Sequence, residues 1–513
     1  MLLPLTSATS GRGAEAAERQ MSLADCITEA LEHNFDVQIE RYNPILAESA
    51  LSLVYGDYDP TISMRARHDY AQQPEGLDEF TRVIPGTSSD TDSLFGSISG
   101  LLPSGTTYNI SSGAQNTYGK RYGLVGTNSL TFPFESSSAN MTIGELRQPL
   151  LRNFWIDGTR LNLRLRKKDL QIADLNLRMR LINTINSVEQ AYYDLVAARE
   201  NVASAEIALQ LATKLFKENQ KRVEVGAMAQ LDERQAQAQM AASEAAVIEA
   251  RRSVDFSANV LKALLTDQYE KWHDVTIVPA EKLEALPADL DVQQAWNLAF
   301  QLRPDLLALI VTLEQRDLIT RFQRNQLFPQ LDAFGSIGWI GNGAGLEFSD
   351  VFSQVSEGSA PQHSYGASLS FPLSNRRARE NYRTSKDQKA QAELRLRQTR
   401  QNIMIAVSDG IQQASSSFER VRATGEARRF AEEALAAEEK KLANGKSTSF
   451  EVLRLQRDLT QARLDETRAR VDYNKAQVTL RMRQGTSLLK FDLGTPPPAM
   501  SMTPTPVSNK PAK

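Results

Sequence analysis

The sequence predicts a mainly α-helical fold with a small β part, in which two copies of one unit each contribute a long antiparallel helical hairpin and two principal strands. An internal repeat, a seven-residue apolar period and a two-residue alternation predict it. Four positions of the first copy recur at a constant offset in the second copy. Ala30, Leu31, Asp36 and Pro60 correspond to Ala299, Phe300, Asp305 and Pro329. Such a duplication predicts a symmetric structure rather than a one-sided catalytic cleft.

The composition of the 513 residues suits long helices rather than a thick core, because hydrophobic content is 41% and aromatic content only 7%. The formal net charge of −3 predicts no nucleic-acid partner. No apolar run reaches the about 18 residues of a transmembrane helix, whereas transmembrane strands leave a weaker trace. Cys26 is the only cysteine. The segment Leu23 to Cys26 resembles a lipoprotein cleavage box only loosely. Because the segment lies on an amphipathic helix, we interpret Cys26 as an ordinary helix residue rather than a lipid attachment site.

The repeat divides the chain into four segments. We expect an N-terminal segment of unclear role or a signal remnant, a first repeat, a second repeat and a Pro-rich disordered tail, at residues 1–21, 22–290, 291–488 and 489–513. The first repeat carries an insertion at 72–140, rich in Gly, Ser, Thr and Asn, which predicts a hairpin with long loops. This insertion is the main asymmetry between the repeats.

Each repeat opens with helix followed by strand. Ser22 is a plausible cap for an amphipathic helix that runs to about residue 55. After Pro60 the chain alternates between two faces. One face holds Ile62, Met64, Ala66, His68 and Tyr70, and the other holds Ser63, Arg65, Arg67 and Asp69. The second repeat alternates likewise over 331–339 and 365–371. One apolar and one polar face per strand is typical of a sheet between two different media.

The long helices carry a seven-residue apolar period. In the first repeat the apolar row is Leu181, Val188, Leu195, Val202, Leu209 and Phe216. A parallel row of alanines lies three positions further on, at Ala191, Ala198, Ala205 and Ala212. This spacing predicts left-handed supercoiling, and the alanines allow close side-by-side packing. The period is weaker in the second repeat, where Arg428 follows Val421 in the row. Helices about 100 Å long would turn near Gly226 and near Gly445.

Four principal strands cannot close a barrel, since small barrels need about eight, and open edges are not tolerated in lipid. The chain is therefore expected to assemble with copies of itself. Three copies would supply twelve principal strands for a barrel and twelve helices for a tube.

Several segments resemble TolC-type outer-membrane factors, and the likeness covers about residues 22 to 487. They are SLADCITEALEHNFDV, DYDPTIS, LFPQLDAFGSIG, RQPLLRN, EQAYYDLVAARENV and the two turns, KRVEVGAMAQLDERQAQ and KKLANGKSTSFEVLRLQ. The resemblance implies a homotrimer with a 12-stranded β-barrel in outer-membrane lipid of a Gram-negative bacterium and a helical barrel extending into the periplasm. It implies the exit channel of a tripartite efflux pump or type I secretion system, with a periplasmic adaptor (membrane fusion) protein and an inner-membrane pump of RND or ABC type as partners.

The resemblance also assigns roles to residues. It implies that adaptor-binding tips are formed by Arg222, Val225, Gly226 and Ala227 and by Lys441, Asn444, Gly445 and Ser447. Asp232 and Glu451 would ring the periplasmic constriction and favour cations. Alternatively, each would stabilise the N-terminus of the helix that begins after its turn. Arg65, Arg67 and Asp69 would face the barrel lumen, or would lie in a headgroup or loop region. Where the family carries a second acid and a closing Arg and Tyr, this chain has Arg454, Ser447 and Leu442.

Enzymatic chemistry is not predicted. The four histidines, His33, His68, His273 and His363, lie in separate segments without paired metal spacing, and no nucleophile elbow or phosphate loop is present. No cofactor or metal is therefore expected. The competing hypothesis is a non-membrane coiled-coil scaffold, which the heptads alone would permit.

Overall fold

The computed structural model describes residues 18–77, 79, 83–125, 128–226, 228–281, 283–287, 291–344 and 348–491. Its helices are α1 Leu23–His33, α2 Phe35–Tyr55, α3 Gly158–Glu224, α4 Gln230–Leu265, α5 Tyr269–Trp272, α6 Val292–Leu302, α7 Pro304–Asn325, α8 Phe348–Ser356, α9 Arg376–Ala443, α10 Ser449–Gln484 and α11 Ser487–Lys490. Its strands are β1 Glu18–Met21, β2 Thr61–Gln73, β3 Gly76–Leu77, β4 Val83–Ile84, β5 Thr87–Leu101, β6 Thr107–Val125, β7 Asn128–Pro149, β8 Thr276–Pro279, β9 Gln330–Ala344 and β10 Pro361–Ser370.

The described chain forms two compact units. One takes residues up to 44, 173–310 and from 395 onwards, and the other takes residues 45–172 and 311–394. Each unit therefore draws on both predicted repeats. The segment boundaries inferred from the repeat describe a duplication of sequence and stay a prediction.

The second unit holds an antiparallel six-stranded sheet with the order β10-β9-β7-β6-β5-β2. The four principal strands expected from the sequence are present as β2, β7, β9 and β10. Two further strands, β5 and β6, come from the predicted insertion and lie between β2 and β7. All thirteen residues of β2 pair with β5, so the inserted strands separate β2 from β7.

The hairpin between β5 and β6 turns where Gly105 has a positive φ of 85°. A Cβ there would lie 2.7 Å from Nη2 of Arg160, at the start of α3. Arg160 donates to the carbonyl oxygens of Asn153 and Phe154, each at 2.8 Å, and forms an ion pair with Asp157 at 2.7 Å. The turn thus packs closely on an ordered strand-to-helix junction, and only glycine fits it without strain.

The first unit is built on the long helices. Part of the predicted apolar rows lies in its cores, where Val188, Leu195 and Ala191 pack with α1 and α4, and where Val407 and Ala414 pack with α6 and α10. Glu189 lies fully buried beside these residues and forms ion pairs with Arg481 at 2.9 Å and Lys490 at 3.2 Å.

The helix predicted from Ser22 to about residue 55 is in fact two helices, so that prediction was wrong in its continuity. The cap predicted at Ser22 is confirmed, and it belongs to a capping box in which Ser22 and Asp25 exchange hydrogen bonds. The break falls at Asn34, which leaves the helical region at ψ 127°. The Asn34 side-chain oxygen accepts from the backbone N–H groups of Asp36 and Val37 and so caps α2. The second repeat breaks at the equivalent place, before Pro304.

Cys26 is a core residue of α1, with no exposed surface. Burial raises the pKa of its thiol to about 12. Among the described helices, none is both long and apolar enough to cross a membrane.

Candidate functional site

The first tip, residues 221–237, joins α3 to α4. The helix ends at Glu224, and Gly226 closes it in the left-handed region with φ 70°, its N–H donating to the carbonyl of Val223 at 2.9 Å. Val225 is 77% exposed. Apart from its chain neighbours, no atom of the described residues lies within 4 Å of a Cβ built on Gly226, so this position faces open space. Ala227, the remaining predicted residue of this tip, lies outside the described residues, and Arg222 is half-buried on α3.

The second tip, residues 440–456, joins α9 to α10 with the same geometry. Gly445 has φ 73°, and its N–H donates to Leu442 while that of Lys446 donates to Lys441, the hydrogen-bond pair of a Schellman motif. Asn444 is exposed and donates to the carbonyl of Lys440 at 2.9 Å. Both predicted Gly turns therefore have the same conformation.

The polar residues of the second tip form a small network. Glu438 accepts from Nζ of Lys441 at 2.8 Å and from Oγ of Ser447 at 2.5 Å. These two hydrogen bonds lower the pKa of Glu438, so the carboxylate stays charged. Ser447, which stands in place of a closing arginine, thus bonds within its own hairpin. Glu438 was not among the residues singled out from the sequence, although its spacing of three from Lys441 is typical of a helical ion pair.

Asp232 and Glu451 lie in the first turns of α4 and α10, as the capping interpretation expects. The N–H of Glu451 donates to Oγ1 of the cap residue Thr448 at 3.4 Å. Its carboxylate forms an ion pair with Arg454 at 2.8 Å. Arg454 therefore offsets the Glu451 charge, whereas none of the described ion pairs engages Asp232.

A buried hydrogen bond links the two hairpins close to their tips. Nδ2 of Asn219, on α3, donates to Oγ of Ser449 at 2.6 Å, and these residues are 1% and 2% exposed. The same amide group contacts the backbone oxygen of Asp232 at 3.4 Å. Apolar residues from α3, α9 and α10 pack around this region: Leu215, Leu435, Leu442, Val452, Leu453 and Leu459. Leu442, in place of a closing tyrosine, thus belongs to an apolar contact.

The sequence carries a signal for Asn219, which was not among the predicted site residues. Asn219 follows Ala212 by seven residues and so continues the alanine row of α3. A polar residue at a core position of a heptad fixes the register of its partner helix at some cost in stability. The row break at Arg428 has a comparable explanation, because Arg428 forms an ion pair with the nearly buried Glu466 at 2.5 Å.

Near the start of β2 the sheet carries one apolar and one polar face, whereas further along β2 and β5 the first of these faces holds His68, Asp90 and Asp92. Register places Ile62, Ile98 and Ile110 side by side on one face of β2, β5 and β6. The opposite face carries serine pairs whose Oγ atoms are 2.8 Å apart, Ser63 with Ser97 and Ser336 with Ser364.

The predicted lumen residues share the polar face. Arg65 lies opposite Phe95, and Arg67 forms an ion pair with Asp69 at 2.5 Å along the same strand. On the apolar face, helix α8 packs Val351 and Val355 against Ala139 of β7. The described residues contain no group of His, Cys, Asp and Glu side chains suited to a metal ion.

Comparisons with known proteins agree with this architecture. Residues 110–266 and 295–486 match the profile of the family described as outer membrane efflux protein. Three similar solved structures are the Campylobacter jejuni CmeC outer membrane channel (14% identity, 91% of this chain and 86% of that one, TM-score 0.63), Vibrio cholerae VceC (15%, 90% and 96%, 0.63) and the open state of Neisseria gonorrhoeae MtrE (17%, 92% and 91%, 0.61). At these identities the structures establish the fold. A comparison with curated proteins gave no significant match.

Proposed function

Because the chain belongs to the outer membrane efflux protein family, we propose that three copies of it form a continuous export duct. Membership identifies an outer-membrane efflux channel rather than an enzyme. The proposal adds the homotrimer, a β-barrel in the outer membrane of a Gram-negative bacterium and a helical tube that extends into the periplasm.

The six-stranded sheet is the observation that carries the proposal. Near the start of β2 it has an apolar and a polar face. Among the described residues it has two edge strands that pair on one side only, β2 and β10. An apolar face suits lipid, but unpaired edge groups cost several kcal/mol each in hydrocarbon. Pairing β2 of one copy with β10 of the next removes every edge and encloses the polar face as a water-filled lumen.

The tips are proposed as the docking surface for a periplasmic adaptor protein. The exposed Val225 and the open space around Gly226 and Gly445 leave room for a partner to contact both turns. Through that adaptor the duct would serve an inner-membrane pump of RND or ABC type, in an efflux pump or a type I secretion system. Walls of helices and Ser-rich strands select cargo by size and charge.

Asp232 and Glu451 are proposed to ring the entrance and to favour cations. Repeated in three copies, carboxylates between low-dielectric walls focus a negative potential. The ion pair between Glu451 and Arg454 weakens one of these charges, so we expect Asp232 to contribute more of the cation preference.

Single-channel recording of the purified trimer in planar bilayers tests both parts of this proposal. We expect pores, a lower cation preference in Asp232→Ala with Glu451→Ala, and a larger effect from Asp232→Ala than from Glu451→Ala. Unchanged selectivity in the double variant would mean that both acids only stabilise helix N-termini. A stable monomer without pores in any lipid would contradict the duct itself.

The competing hypothesis of a coiled-coil scaffold predicts a different behaviour. A scaffold would stay soluble without detergent, and its electrophoretic mobility would not depend on heating. We expect the purified trimer to require detergent and to show heat-modifiable migration, because its apolar sheet face is solvated by lipid.

A further inference from the structure

The inserted strands β5 and β6 lie in the middle of the sheet rather than beside it. β2 pairs with β5 over Thr61–Gln73, β5 with β6 over Ser88–Leu101, and β6 with β7 over nearly its full length. A hairpin that projected from the sheet as a loop would leave β2 and β7 paired with each other. In this protein the hairpin separates them.

At the level of Ile62, both faces of the sheet continue across the inserted strands. On the apolar face, the row of Ile62, Ile98 and Ile110 spans β2, β5 and β6, and Ile337 and Tyr365 lie on the same face of β9 and β10. The side chains of Ile98 and Ile110 remain 39% and 40% exposed, so nothing within the described chain covers them fully. An apolar row at this level of a sheet is what a lipid-facing strand requires.

The hairpin turn is anchored at the end of the sheet where the strands meet the helices. Gly105 lies against Arg160, and Arg160 is held by Asp157 and by two backbone carbonyls. This contact fixes the lower end of β5 and β6 at the same level as the start of β2 and the end of β7.

We propose, on the basis of the trimer proposed above, that each copy contributes six strands to the barrel wall, giving eighteen strands rather than twelve. The occupant of each sheet edge is a second copy of this chain, with its β10 against β2. The six strands alternate in direction, so β10 runs opposite to β2 and every seam is antiparallel, as in other membrane barrels.

The added hairpins widen the lumen. With strands about 4.8 Å apart and tilted by about 40°, twelve strands give a backbone circle roughly 24 Å across and eighteen give roughly 36 Å. The side chains that line the additional arc come from the polar faces of β5 and β6, which are rich in Ser, Thr and Gln, including Ser97, Ser111 and Gln115.

Site-directed fluorescence quenching in vesicles tests the inference. A fluorophore is attached to variants that each carry one introduced cysteine, at neighbouring positions of the hairpin, Ile110→Cys and Ser111→Cys, and of a principal strand, Ile337→Cys and Ser336→Cys. Cys26 is buried and stays native. Lipids with brominated acyl chains quench from the bilayer, and iodide quenches from water. The number of copies is counted by native mass spectrometry.

We expect three copies, with the Ile110 and Ile337 sites quenched to the same fraction by brominated lipid and the Ser111 and Ser336 sites quenched by iodide. Lipid quenching at Ile337 without lipid quenching at Ile110 would overturn the eighteen-stranded wall and leave the duct intact. Absence of lipid quenching at both sites would overturn the duct. Two copies per particle would overturn the strand count directly.

Discussion

The buried hydrogen bond between Asn219 and Ser449 makes a quantitative prediction for channel opening. It joins the end of α3 to the start of α10, so separating the hairpins at their tips breaks it. Asn219→Ala leaves the Ser449 hydroxyl buried without this partner, at a cost of about 1–3 kcal/mol per copy. Because 1.4 kcal/mol is a factor of ten, the equilibrium should shift towards separated hairpins by roughly 5- to 150-fold per copy.

The assay is the open fraction of single channels in planar bilayers. Gln220→Ala is the matched control, since Gln220 is exposed on the next position of the same helix. Alanine is the better helix former by no more than about 0.7 kcal/mol, so neither substitution should weaken α3 itself. Ser449→Ala should act like Asn219→Ala, and the double variant should add little. An open fraction in Asn219→Ala equal to that of Gln220→Ala, in intact trimers, would refute the reasoning.

Three further predictions concern the core and the tips. In the folded protein Cys26 should resist thiol reagents at pH 8, because burial raises the pKa of its thiol to about 12. In denaturant it should react with one equivalent of reagent. Rapid labelling of the folded protein would contradict this prediction. Glu189→Gln should destabilise the fold by about 3 kcal/mol in denaturant unfolding, since two cationic side chains lose their buried anionic partner. Glu249→Gln, in an exposed pair, should leave the midpoint unchanged. Gly226→Lys or Gly445→Lys should abolish binding of the proposed adaptor in a pull-down while the trimer persists. The controls are Gly226→Asn and Gly445→Asn: because Asn tolerates positive φ, they separate the effect of bulk and charge from that of backbone strain.

The elements that follow from local pattern were predictable from the sequence. Strong alternation after Pro60 and Pro329, heptads of unbroken period and glycines between long helices each determine their structure within a few residues. The Ser22 cap is of the same kind. The break at Asn34 was not predicted because the apolar period continues across it, and only the side-chain cap of α2 ends the first helix.

The inserted hairpin shows where local pattern fails. Its strands are rich in Gly and Ser, which have little preference for strands, so the sequence indicated a hairpin with loops but not two members of the main sheet. Their place depends on partners that lie up to about forty residues away, such as Ser111 opposite Thr142. The link from Asn219 to Ser449 is similarly non-local, at a separation of 230 residues.

The position of the hairpin turn bears on how such proteins diversify. Because β2 enters and β7 leaves at the same end of the sheet, gain or loss of the segment between them keeps both flanking connections in place and preserves strand polarity at either border. In the barrel proposed above, a single in-frame insertion therefore changes the bore in steps of two strands without altering the sequence of the helices on either side.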